Sequence, residues 1–477
     1  MLFSSIVFIA YFLPAFLVFY YTMGMRTAAL LTGSVIFYVW GEGPYVALLA
    51  GLIALNHVVA HRIAKATPER AKIWLAGVIG TNLAVLALFK YAGFIAESVN
   101  SLVGATMLPV LDLRLPLGIS FFTFQLISYV VDVHRREVQP ERNPIAFATY
   151  ILMFPHLIAG PIVRYADIRS ELQQQGRHVR TGLGVQYFCV GLSQKVLIAN
   201  SLAPVADHAF SLGGNLDATM AWLGALSYTL QIYFDFCGYS NMAIGLAFLL
   251  GFTFPKNFDY PYAAQSISDF WRRWHMSLSF WFRDYVYIPL GGNRGSQPRV
   301  LMNLLVVFFL TGLWHGAAWN FIVWGLFHGM FLLTERLGFN KVLQLLPRPV
   351  TVVYTMLVVT VGWVFFRAED LTSAMFYLSK MADVTAFYEP LIESRVLMSA
   401  QFWLALGCGI LLSLPTLPAL MGRLRRPLYG CSSVIPEPRL DTLRVAVLPA
   451  PLLLAGLFLS IALLAGTSLN PFLYFRF

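Results

Sequence analysis

The amino-acid sequence predicts an all-α polytopic membrane protein, and three observations carry that reading. Hydrophobic residues make up 58% of the 477-residue chain and charged residues only 12%, against about 25% charged in soluble domains. The apolar residues gather into runs long enough to cross a bilayer, which takes about 20 residues. The charges fall mostly in the short stretches between those runs, basic and acidic in alternation.

Taken in order, the first run, Met1 to Tyr21, has no charged residue ahead of it and no small-residue cleavage site behind it. It therefore reads as a spanning helix and not as a removable leader. Further runs follow at 27–41, 44–61, 73–96, 117–133, 183–203, 219–250, 300–316, 317–335, 350–366, 401–421 and 443–466. Several are short or interrupted by proline, so roughly ten to twelve spans are expected. They leave no room for a sizeable soluble domain, and residues 1–477 read as one membrane-embedded domain. The 15% aromatic share suits interfacial belts of Trp and Tyr.

Charge orients the spans. Arg26 is basic, Glu42 acidic, and Arg62, Lys65, Arg70 and Lys72 basic again. Short basic loops stay cytoplasmic, so the N-terminus faces outward. The alternation continues with Glu97 to Asp112 outside, His134-Arg135-Arg136 inside, Asp207 to Asp217 outside and Arg294 to Arg299 inside; Arg423, Arg425 and Arg426 read as cytoplasmic. Two stretches break the pattern. Residues 144–163 carry Pro144, Pro155, Gly160 and Pro161 between Arg142 and Arg164, and residues 265–292 mix aromatics with Arg272, Arg273, Arg283 and Asp284. Irregular backbone survives at bilayer depth only inside protein or beside a wet cavity. Both stretches are candidate re-entrant walls of an internal cavity; amphipathic interfacial helices are the other reading.

Composition also excludes. The net charge of +10 lies in short loops and not in a recognition helix or stacking platform, so nucleic acid is not an expected partner. Cys189, Cys237, Cys408 and Cys431 form no CxxC pair, and no metal site is expected. Without GxSxG, a Walker loop, HExxH or GxGxxG, soluble hydrolase, NTPase, zincin and Rossmann chemistries have no foothold. No internal repeat stands out, which weighs against a secondary transporter.

Ionisable groups at membrane depth cost about 2.5–3.5 kcal/mol on insertion scales, so each needs a reason. His315 lies in Leu313-Trp314-His315-Gly316 with no charge near it in sequence. A neutral imidazole accepts and donates protons near pH 7, as acyl transfer to a hydroxyl requires. A hydrogen-bonded structural histidine fits equally well. Gly312 and Gly316 beside it would admit a substrate or a second helix. His275 follows Phe270-Trp271-Arg272-Arg273-Trp274; this cluster would bind donor phosphates or anchor at lipid head groups. Asp269 and Arg273 are spaced for a local ion pair on a helix. Gln231, Asp235 and Tyr239 form a polar stripe at i, i+4 and i+8, lining a cavity or bonding a neighbouring helix. On one unbroken helix His328 would point about 140° away from His315; His328 and His156 read as satisfied core histidines.

Several segments taken together resemble a known family. Pro116 to Phe122 (PLGISFF), Phe154 to Pro161 (FPHLIAGP), Tyr233 to Ser240 (YFDFCGYS), Asp269 to Ser279 (DFWRRWHMSLS), Tyr287 to Arg294 (YIPLGGNR) and Gly312 to Gly316 (GLWHG) occur in order. They are similar to the membrane-bound O-acyltransferase (MBOAT) family, in particular its alginate O-acetylation branch. That branch is also similar to cellulose O-acetylation and teichoic acid D-alanyl transfer proteins. The ordered match runs from about 116 to 330, and Met1 to Tyr21 and Pro471 to Phe477 also look familiar. Cys237 stands where Ser is expected, a small change. The resemblance implies a ring of tilted helices around a funnel, His315 as the catalytic membrane histidine, and His275 as a second histidine on the cytoplasmic side. Arg272, Arg273, Trp274, Asp235, Trp314 and Asn293 are the substrate-binding candidates. It further implies an inner-membrane acetyltransferase with no bound cofactor, drawing on cytoplasmic acetyl-CoA for an exopolysaccharide, alginate first and cellulose second. A periplasmic or membrane-anchored SGNH-type acetyltransferase would be its partner. The alternatives are D-alanyl or another acyl load on the same machinery, or a non-enzymatic transporter or channel with His315 as gate or relay.

Overall fold

The computed structural model describes residues 2–111, 113–173, 179–383, 385, 392–415 and 449–466. Arg423, Arg425, Arg426, Cys431 and the segment Pro471–Phe477 lie outside the described residues. Every regular element among those described is a helix. We number as follows: α1 Val7–Thr22, α2 Arg26–Glu42, α3 Tyr45–Lys65, α4 Pro68–Lys90, α5 Ala92–Val103, α6 Ile119–His134, α7 Pro144–Leu152, α8 Phe154–Leu157, α9 Tyr165–Gln173, α10 Thr181–Ser211, α11 Ala218–Leu249, α12 Ile267–Arg273, α13 Met276–Phe282, α14 Gln297–His315, α15 Trp319–Thr334, α16 Arg348–Arg367, α17 Leu371–Ala382, α18 Ala400–Leu412 and α19 Ala450–Gly466. Helices lie in the described part of every predicted apolar run. Six of them (α3, α4, α10, α11, α14 and α16) are long and apolar enough to cross a membrane, and α1, α6, α18 and α19 are shorter apolar helices. The chain is a multi-pass membrane protein.

The described residues form two compact units, Met1–Val185 with Met242–Phe254, and Gln186–Asn241 with Pro255–Phe477. In the first, Phe3, Phe8, Phe12, Phe16 and Phe37 pack with Phe154, ring centroids 4.9–6.2 Å apart. Asn56 of α3 and Asn82 of α4 exchange two amide hydrogen bonds of 2.9 and 3.0 Å, satisfying each other where neither reaches water. The irregular stretch 144–163 folds as α7 and α8, broken at Met153, and its residues from Ile151 to Val163 are all buried. Protein surrounds it, as irregular backbone in a membrane requires. His156 is among them; its Nε2 bonds the Tyr150 carbonyl at 2.8 Å.

In the second unit the helices correct one sequence reading. Residues 204–218 read as an outward loop, yet α10 runs on to Ser211 with Pro204 inside it. A π-helical turn at Gln194–Ala199 precedes that proline, and such turns absorb disruption of the helical ladder. His315 and His328 would diverge on one unbroken helix, but the separate runs 300–316 and 317–335 form two helices: the chain breaks at Gly316–Ala318, and α14 and α15 turn back on each other. The hairpin is close because it is glycine-lined. A Cβ on Gly312 would stand 2.3 Å from the Phe321 carbonyl oxygen, and one on Gly325 2.3 Å from that of Phe308. The glycines beside His315 therefore serve helix packing.

Candidate functional site

The second unit brings His275, Trp314 and His315 together. His315 closes α14, with Gly316 extended behind it at φ −160°. Three rings pack around the imidazole: Trp314 at 4.9 Å, Trp324 at 5.0 Å and Phe366 at 5.2 Å, each close to edge-on. A ring so confined has little rotational freedom, which is how a catalytic side chain is held in one orientation. Trp314 is also 6.2 Å from the His275 ring, so one indole neighbours both histidines.

His275 occupies the break between α12 and α13, with φ 44° and ψ 54°. Left-handed backbone is uncommon for a residue with a side chain, and such strain clusters at functional sites. The surroundings enforce it. Asp259 N donates to the Arg273 carbonyl and Met276 N to the Asn257 carbonyl, both at 2.9 Å, so the 257–259 segment brackets the break from both sides. The ring is fully buried, edge-on to Phe236 at 4.7 Å. Its Nδ1 lies 3.1 Å from Asn257 Oδ1, and its Nε2 has no hydrogen-bond partner among the described residues.

The remaining candidates take different places. Trp274 is packed among Phe258, Phe270 and Trp363, ring centroids 4.8–5.6 Å away. Arg273 is engaged, its Nε donating to Asp269 at 2.9 Å as the spacing predicted and its Nη1 to the Asp259 carbonyl at 3.3 Å. Arg272 is exposed and makes no ion pair among the described residues. Asn293 is exposed, its Oδ1 accepting from Tyr287 Oη at 2.7 Å and Arg336 Nη2 at 2.8 Å, so it orders the loop before α14. Asp235 is ion-paired with Lys195 Nζ at 2.6 Å, both side chains buried. Of the two readings of the polar stripe, bonding to a neighbouring helix is what the structure shows at Asp235. Gly238, one turn on, explains the proximity: a Cβ there would lie 2.6 Å from the Gly191 carbonyl oxygen.

His328 departs from the satisfied histidine expected of it. It is fully buried, and neither ring nitrogen has a hydrogen-bond partner among the described residues. Phe270 stacks on it at 6.2 Å, while Trp271 and Trp324 meet it edge-on at 5.3 Å. Trp324 thus touches both histidines of the hairpin. Sequence reasoning missed Asn257, Lys195, Trp324, Phe366 and Glu335. Glu335, buried at the end of α15, accepts from Ile267 N at 2.6 Å, Ser268 N at 2.9 Å and Ser268 Oγ at 2.7 Å. A carboxylate there satisfies orphan N–H groups at the α12 N-terminus and complements its dipole. The available signal was polarity alone: each polar member of this set interrupts an apolar or aromatic context.

Residues 140–368 match MBOAT, the membrane-bound O-acyltransferase family. A probable alginate O-acetylase of Azotobacter vinelandii is 45% identical over 382 residues, covering 78% of this chain and 76% of that protein. One from Pseudomonas aeruginosa is 46% identical over 383 residues, 78% of this chain and 73% of its own length. A peptidoglycan O-acetyltransferase of Helicobacter pylori is 37% identical over 387 residues, 74% and 73% of the two chains.

Proposed function

Since the chain belongs to the membrane-bound O-acyltransferase family and is an acyltransferase, we propose that it moves acetyl groups from cytoplasmic acetyl-CoA across a bacterial inner membrane for O-acetylation of an exopolysaccharide. Alginate is the first candidate polymer, supported by the relatives named for its acetylation. The whole chain acts as one membrane domain around the funnel that the family resemblance implies. The observation that carries the reading is His315, an imidazole at the end of a membrane helix, clasped by Trp314, Trp324 and Phe366.

In this reading His315 takes the proton of the acceptor hydroxyl as its oxygen attacks the thioester carbonyl. The C–S bond breaks, an ester C–O bond forms, and the proton passes to the departing thiolate. A positioned base of this kind contributes about 10²–10⁴-fold. Arg272, exposed and without an ion pair among the described residues, is available to the donor's phosphates, while Arg273 is tied to Asp269. His275 lies close to Arg272 and Arg273 in sequence and shares Trp314 as a ring neighbour with His315. A charged CoA does not cross a bilayer, so only the acyl group passes, and an SGNH-type acetyltransferase on the far side receives it. Substitution His315→Ala tests the core of the reading. Polymer acetylation should fall by about 10²–10⁴-fold with insertion and abundance unchanged; wild-type acetylation by a normally inserted variant overturns it.

A further inference from the structure

Asn257 was not singled out by any sequence pattern, yet its side chain is the hub of the His275 break. Its Oδ1 accepts from three donors: Ser277 Oγ at 2.8 Å, Ser277 N at 3.3 Å and His275 Nδ1 at 3.1 Å. The backbone N–H of Ser277 can only donate, so the amide atom facing it is the oxygen, which settles the side chain's orientation. The amide nitrogen, turned the other way, donates to Ser240 Oγ of α11 at 3.0 Å. An amide oxygen can only accept, so the His275 Nδ1 beside it carries the hydrogen. A neutral imidazole holds one such hydrogen. The Nε2 of His275 is therefore a bare lone pair, buried and without a partner among the described residues.

We infer that Asn257 is the positioning residue for His275: it fixes the Nδ1–H tautomer and leaves Nε2 as the acceptor for an O–H or S–H donor of a substrate. This rests on the reading that His275 takes part in acyl transfer, and it adds a constraint. A neutral Nε2 does not attract phosphate, so anion binding falls to Arg272, and His275 meets a hydroxyl or a thiol. The strained backbone at His275 fits the same purpose, because the left-handed turn lets Asn257 reach both His275 and Ser277. The titratable groups on the elements packed against the ring are few. Asp235 is paired with Lys195, Lys256 with Asp259 and Asp269 with Arg273. Arg272, the Cys237 thiol, the phenols of Tyr233, Tyr239 and Tyr260, and His315, which also packs on Trp314, are the others.

The test reads the tautomer without turnover. Protein labelled with ¹⁵N-histidine in lipid bilayers gives ring-nitrogen signals for its nine histidines, and His275→Gln identifies the one of interest by difference. We expect a protonated Nδ1 and an unprotonated Nε2 at neutral pH. Asn257→Leu should scramble that preference and lower acetyl transfer by at least about tenfold. Asn257→Asp, nearly isosteric, keeps the acceptor and adds a charge. The pH at which His275 takes its second proton should then rise by about one unit or more, with transfer retained on the alkaline side. An Nε2–H tautomer in the wild type overturns the assignment, and so does a folded Asn257→Leu that transfers at the wild-type rate. A wild-type protein that moves no acetyl group refutes the functional reading instead, and the nitrogen spectrum still decides the claim about Asn257.

Discussion

The buried ion pair between Lys195 and Asp235 makes a quantitative prediction. At 2.6 Å and an effective dielectric of about 20, the attraction is roughly 6 kcal/mol. Removing two charges from water costs several kcal/mol each, so the two contributions largely cancel. The asymmetry lies in removing one partner. Asp235→Leu leaves the Lys195 ammonium buried with Asn200 Oδ1 at 2.8 Å, and Lys195→Met leaves a buried carboxylate. Each single change should cost about 3–5 kcal/mol. The double variant, apolar at both positions, should recover most of that loss, giving a coupling energy well beyond the roughly 0.5 kcal/mol scatter of independent sites. The assay is denaturant-driven unfolding in detergent micelles, followed by tryptophan fluorescence and run as a double-mutant cycle. Single variants as stable as the parent, or a double variant whose loss equals the sum of the two, would refute the reasoning.

Three further outcomes are expected. Gly325→Ala would press a methyl group against the Phe308 carbonyl and destabilise the hairpin by about 1–3 kcal/mol, whereas Gly77→Ala, with nothing within 4 Å, should be neutral; equal melting behaviour would count against the packing argument. Orientation is read by labelling. Gly43 has φ 52° and tolerates a side chain poorly, so Pro44→Cys should react with an impermeant reagent from outside and Pro68→Cys only in opened membranes. The reverse pattern would invert the donor side. Finally, the chain reconstituted alone with acetyl-CoA and polymer should acetylate the polymer only when an SGNH-type acetyltransferase is added; efficient acetylation without one would remove the relay.

The spans were legible because hydrophobic length is a local property, written in consecutive residues from Met1 to Tyr21 onward. Their ends were less so: Pro204 reads as a stop, but the π-turn at Gln194–Ala199 lets α10 continue. His315 stood out as a lone ionisable group at membrane depth, and His275 because it ends an aromatic and arginine cluster. The partners that give them context did not, since each comes from elsewhere in the chain. Lys195 meets Asp235 across two helices, and Asn257 reaches His275 only because the backbone at 275 turns left-handed. Phe366 joins His315 from a different helix. Periodicity within one segment carries no information about which segment will face it. The link between His315 and His328 through Trp324 likewise depends on three residues, 316–318, where the helix gives way.

The carboxylate of Glu335 has a consequence for biosynthesis. α12 has seven residues, too few to hold a helix by themselves, and its first N–H groups are satisfied by a side chain that emerges from the ribosome 67 and 68 positions later. The segment bearing Arg272 and Arg273 therefore waits for α14 and α15 to insert before it can settle. Arg272, the cation proposed to meet the donor, thus settles only in a late step of assembly, and a nascent chain halted before residue 335 lacks the carboxylate that anchors its helix.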